Sequence, residues 1–125
     1  MKDFETNSFT MKVHTDGLVE FKVKRNVTMQ ESDVWESQDM SVEYLQGKKV
    51  YVLMETEDNF DVTVDARRAG ASERYARHVN ALALYSTRLH ETILGNLFLK
   101  VSRPRVKTRF FDNRDKALEW LRNQM

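Results

Sequence analysis

Residues 9–24, FTMKVHTDGLVEFKVK, alternate apolar and polar positions: Phe9, Met11 and Val13 precede Asp16-Gly17, and Val19, Phe21 and Val23 follow it. Period two places each set on one face of a strand, and Asp-Gly between two such runs is a turn, so the stretch predicts a β-hairpin with one wet face. Thr28-x-x-Glu31 has the form of a capping box and predicts a helix over 28–47, stopped by Gly47. On that helix Val34, Trp35, Val42 and Leu45 are apolar and the acids make one side strongly negative.

The pattern then changes. Residues 50–54 are consecutively apolar, which suits a strand covered on both faces. The VTV at 62–64 either extends that strand or starts a short one of its own. Ser72 begins a second helix carrying Tyr75, Ala76 and Val79, and ALALY at 81–85 is another buried-strand candidate. Ser86 or Thr87 caps a third helix with Leu89, Ile93 and Leu97 on one stripe, ending before Pro104. Val106, Thr108 and Phe110 alternate inward as a strand, and Asp112 or Asn113 caps a last helix with Ala117, Leu118, Trp120 and Leu121. Strands alternating with helices after a hairpin imply an α/β sandwich with right-handed crossovers. The expected sheet is mixed but mostly parallel, with about five strands and about four helices in a single domain over 1–125.

Composition narrows the chemistry. At 125 residues the chain can bury a sizeable core, and with no cysteine it has no disulfide, no thiol nucleophile and no Cys-based metal site. A reducing cytoplasm is the expected compartment. No stretch approaches the ~20 apolar residues of a membrane span, and the N-terminal residues lack the apolar core of a signal peptide.

The net charge of +1 conceals a segregation. Residues 28–65 hold ten acids against Lys48 and Lys49, whereas residues 66–109 hold ten bases against Glu73 and Glu91. Such asymmetry suits internal pairing of the two halves, self-association with a homodimer included, or two faces for different protein partners, and charge alone does not choose among them. Nucleic acid is disfavoured, because the aromatics beside the basic run, Phe110 and Phe111, lie in a strand and at least one belongs to the core.

Catalysis finds little support. His14, His78 and His90 are scattered over different elements without metal-ligand spacing, and Ser72 and His78 are six apart on the expected helix, pointing away from each other. With four glycines there is no phosphate-cradling loop. No cofactor, metal or enzymatic activity is expected. The third helix is apolar around most of its circumference, and its Leu94, Leu97, Phe98 and Leu99 cannot all face one sheet. Leu94, Phe98 and Leu99 are therefore candidates for an apolar groove under that helix.

The order of elements, with an alanine-rich strand, a helix holding Gly95-Asn96-Leu97-Phe98 and a strand entering TRFFDNRDKALEWL, resembles the SpoIIAA-like, or STAS (STAS/SEC14), family of small bacterial proteins. The resemblance implies a SpoIIAA-like sandwich. In STAS anti-sigma factor antagonists the loop before the second helix carries an Asp-Ser-Ser/Thr-Gly motif with a phosphorylated serine. Ser72 holds the matching place, with Ala71 where the motif has an acid and Glu73 where it has a small residue. Ser72 is thus a regulatory candidate as well as an N-cap, with Arg67, Arg68 and Arg74 as anion or phosphate contacts. The expectation is a non-catalytic protein-interaction or regulatory module. The alternative is a binder of a small apolar ligand or lipid, for which the SEC14 side of the resemblance speaks. A closed apolar cavity under the third helix would favour the second, a filled core with charged faces the first.

Overall fold

A computed structural model describes residues 1–56, 60–88 and 104–125. In chain order its elements are β1 (Lys2–Glu5), β2 (Phe9–Val13), β3 (Leu18–Val23), β4 (Thr28–Met29), α1 (Glu31–Tyr44), β5 (Val50–Glu55) and β6 (Asp61–Val62). There follow α2 (Val64–Gly70), α3 (Glu73–Ala76), β7 (Val79–Tyr85), β8 (Lys107–Phe111) and α4 (Arg114–Asn123). The fold is α/β. Six strands form one sheet in the order β1-β2-β3-β5-β7-β8, antiparallel from β1 to β3 and parallel from β3 to β8.

Strand register explains the layers. Met11, Phe21, Met54, Leu84 and Phe110 are successive partners across five strands, and Val13, Val19, Val52, Leu82 and Thr108 form the next row on the same face. The helices α1, α2 and α3 cover this face. On the other face α4 buries Ala117 and Leu121 against Leu18, Leu53, Ala81 and Ala83. Alanines on β7 let the helix approach closely, and Asn113 caps it by accepting the Lys116 N–H at 2.9 Å. The β1–β3 half of that second face carries polar side chains, which is the wet side of the hairpin. Its turn needs Gly17, whose φ of +100° disfavours any side chain and where a Cβ would stand a tight 3.2 Å from the Lys49 carbonyl oxygen.

Three local expectations are corrected. Thr28 does not start the first helix: Thr28 and Met29 pair with Asp61 and Val62 in a separate two-stranded sheet, so the helix begins at Glu31. Its capping contact is the Gln30 N–H donating to Asp33 Oδ2 at 2.8 Å. Gln46, at φ 54°, and Gly47 close its C-terminus, where the Gly47 N–H reaches the Val42 carbonyl. Second, of VTV only Val62 is in a strand, the short separate β6, and Val64 already opens a helix. After Val62, Thr63 caps α2 by accepting the Ala66 N–H at 3.0 Å, with Asp65 in the first turn and Arg67 and Arg68 in the last, matching the helix dipole. Third, the helix after Ser72 is a single turn, because Val79 and Asn80 already belong to β7.

Candidate functional site: an apolar cavity beneath a serine-lined helix

A helix resting on a sheet ordinarily fills the space between them with branched or long apolar side chains. The inward face of α1 is instead Val34, Ser37, Gln38 and Ser41, all buried. The serine hydroxyls satisfy themselves on their own helix, Ser37 donating to the Val34 carbonyl at 2.8 Å and Ser41 to the Gln38 carbonyl at 2.9 Å. Gln38 Nε2 donates to the Tyr75 carbonyl at 3.1 Å. Short side chains that ask nothing of their surroundings leave volume unfilled. Between these helices and the sheet the described residues line a partly open pocket of about 620 Å³, within the size range of small-molecule sites. Met11, Val19, Phe21 and Val52 are almost fully buried, and the pocket reaches over the half-buried Met54, Leu82, Leu84 and Phe110 to Arg88 and Pro104.

Its floor is the pair of cross-sheet rows that contains Met11, Phe21, Met54, Leu82, Leu84 and Phe110. Its helical wall adds Ala66, Arg67, Gly70 and Ala71 from α2 and the corner after it, and Tyr75 from α3. Polar groups are few and their sign is uniform: the described lining residues include no Asp or Glu, and the charged ones are Arg67 and Arg88. The Arg67 side chain is exposed and forms no ion pair or hydrogen bond with the described residues. Tyr75 is half-buried, and its hydroxyl likewise has no hydrogen-bond partner among them. Burial pushes that phenol up to about 12, so it remains a neutral O–H donor. A Cβ added at Gly70 would meet nothing within 4 Å, which leaves this stretch of wall open.

Ser72 sits at the corner beside this wall, half-buried. Its Oγ accepts the Tyr75 N–H at 3.2 Å and donates to the Ala69 carbonyl at 2.6 Å, joining the end of α2 to the start of α3. Of the three arginines expected around it, Arg67 lines the cavity, Arg68 is exposed on α2, and Arg74 lies over the Trp35 ring with its guanidinium carbon 3.9 Å from the ring centroid. The Arg74 partner is thus an aromatic face on α1. Leu94, Phe98 and Leu99 lie outside the described residues. The parts of the cavity not singled out from sequence are Ser37, Gln38, Ser41 and Tyr75. The available signal was the small-polar spacing at 34, 37, 38 and 41, a helical stripe with serines where a core stripe has leucines.

The second sheet face offers a contrasting groove between Asp3, Glu5, Lys12, Glu20, Lys22 and Glu55. Its charges answer one another. Lys22 pairs with Glu55 at 3.2 Å, and Glu20 receives His14 at 2.7 Å and Arg114 at 2.6 Å. Burial pushes the Glu20 carboxyl up, but the His14 and Arg114 contacts together outweigh it and hold Glu20 below its ordinary value. That surface is neutralised from within and leaves little for a ligand.

A family model described as "Domain of unknown function (DUF7793)" matches residues 11–125. The chain belongs to the DUF7793 family. Among curated proteins none matches it. Among solved structures, the DUF7793 chain is similar to an uncharacterized protein of the DUF3478 family with a SpoIIAA-like fold, from Shewanella loihica PV-4. The TM-score is 0.54 at 16% identity, over 94% of this chain and 98% of that one. The fold of the DUF7793 chain is therefore SpoIIAA-like, as the order of its elements implies. No helix among its described residues is long and apolar enough to cross a membrane.

Proposed function

We propose that this SpoIIAA-like domain is a non-catalytic, cytoplasmic binding module that takes a small apolar molecule between its sheet and the α1–α2 layer. The observation that carries the reading is the partly open apolar pocket of about 620 Å³ between the sheet and the α1–α2 layer. A core built merely for stability gains from filling such a space, since each lost contact weakens packing. N-phenyl-1-naphthylamine, a neutral apolar fluorophore, tests it. The reading expects saturable enhancement with one site per chain, lost when Ser37→Leu and Ser41→Leu together occupy the cavity. Enhancement that never saturates, or that survives both substitutions in a folded protein, overturns it.

Contact with another protein, or with a second copy of this chain, is a second reading favoured by the placement of charge. Glu31, Glu36, Asp39 and Glu43 are exposed on α1, which packs over β2, whereas Arg105, Lys107 and Arg109 are exposed at β8, the opposite edge of the sheet. Light scattering should then detect association that weakens as salt rises from about 0.05 to 0.5 M. Absence of association, or indifference to salt, counts against it.

A further inference from the structure

The cavity is apolar along its floor and cationic at one part of its wall. A purely apolar guest would leave that wall's donors without a use. Arg67 carries a full charge with no partner among the described residues, on the stretch of α2 that borders Gly70 and Ala71. Tyr75, on the next helix of the same wall, contributes a hydroxyl that is likewise unpartnered among them and, because its phenol resists ionisation, can donate. The Gln38 amide is already committed to the Tyr75 backbone, which fixes α3 against α1. Of the ten acids between residues 28 and 65, eight are among the described residues, and none of those eight lines the cavity. A ligand that fits both parts has a hydrocarbon body and an acceptor-only, negative head.

We propose that the natural occupant is an anionic single-chain amphiphile, its alkyl chain along the half-buried Met54–Leu84–Phe110 part of the floor and its acidic head at Arg67. This rests on the ligand-binding reading above and adds the charge of the head. Arginine suits the role because its planar fork of N–H donors matches the two oxygens of a carboxylate or phosphate. An alkyl chain suits the floor because leucine, methionine and phenylalanine side chains offer contact without hydrogen bonds. Gly70 provides the space beside the head, since nothing lies within 4 Å of where its Cβ would be.

Isothermal titration at pH 8 with decanoate, decyl phosphate and 1-decanol tests the proposal on the whole chain. At least one of the two anions should bind about tenfold or more tightly than 1-decanol, in line with a charge-assisted hydrogen bond. Which anion binds tighter identifies the head as carboxylate or phosphate. R67Q should remove that advantage and leave 1-decanol unchanged, while R68Q, on an exposed side chain of α2 that does not line the cavity, should alter neither. Gly70→Leu should weaken all three. Binding of 1-decanol as tight as both anions, or an anion preference that persists in R67Q, overturns the anionic head while leaving the apolar site standing. No binding of any of the three overturns the ligand-binding reading itself.

Discussion

Gln38 on α1 donates from Nε2 to the backbone carbonyl of Tyr75 at 3.1 Å, a bond between residues 37 apart in the chain. It ties the four-residue α3 to the helix that roofs the cavity, beside the Arg74–Trp35 contact and the packing of the half-buried Tyr75 and Ala76 against the core. Gln38→Met keeps the bulk of the side chain and removes the donor. It should cost about 1 kcal/mol in urea unfolding, the usual net worth of such a bond, and speed amide exchange at Tyr75 and Ala76 before the sheet responds. Unchanged exchange there would mean that the Ser72 cap, the Arg74–Trp35 contact and core packing hold α3 without the Gln38 bond.

Ser72 makes two bonds with one hydroxyl, and the substitutions separate them. Ser72→Ala loses both and should destabilise by about 0.5–2 kcal/mol. Ser72→Asp can still accept from the Tyr75 N–H, but it cannot donate to the Ala69 carbonyl and brings negative charge towards that oxygen, so it should recover only part of the loss. Phosphorylation would likewise give up the Ala69 bond. Full stability in Ser72→Asp, by thermal denaturation, would show that the Ala69 contact contributes little.

The Glu20 cluster predicts a pH dependence with a definite sign. His14 and Arg114 hold the Glu20 carboxyl below its ordinary value against the opposing effect of burial. Such a group contributes stability that is fully present above its unfolded pKa and is lost as pH falls through the lower folded one. Urea midpoints should therefore decline below about pH 4.5, a decline that Glu20→Gln makes shallower. An identical acid limb in Glu20→Gln would assign the decline to other carboxylates.

Ser37→Leu tests whether the space under α1 is free. If it is, the new side chain buries apolar surface without displacing a neighbour and should stabilise the empty protein by about 1 kcal/mol or more, while ligand affinity falls. A loss of stability of about 1–3 kcal/mol would instead be the signature of overpacking.

The sheet is the part of this molecule most legible from sequence. Phe9, Met11 and Val13 against Val19, Phe21 and Val23 state the hairpin directly, and the unbroken apolar run from Val50 states a strand with neighbours on both sides. The α4 cap is narrowed to Asp112 or Asn113, of which the structure uses Asn113. What period and composition miss are elements defined by partners far away. Thr28 reads as a cap because the two-residue bridge from Thr28 and Met29 to Asp61 and Val62 leaves no local trace. Thr63 and Asp65 do carry a helix-start signal, but Val62 and Val64 imitate a strand beside them. The cavity is hidden for a different reason. Ser37 and Ser41 are polar residues on α1, and only packing reveals that they face inward while the half-buried Trp35 edges the core beneath Arg74.

Methionine methyl resonances give the most direct test of the cavity as a binding site. The chain has six methionines, and Met11, Met29 and Met54 line the cavity whereas Met1, Met40 and Met125 do not. With methyl-labelled methionine and 1-decanol as the probe, the resonances of Met11, Met29 and Met54 should shift together and saturate at one equivalent, with those of Met1 and Met125 unmoved. Shifts confined to Met1 and Met125, or no shift at Met11, Met29 and Met54 at millimolar probe, would contradict a ligand site between the sheet and α1.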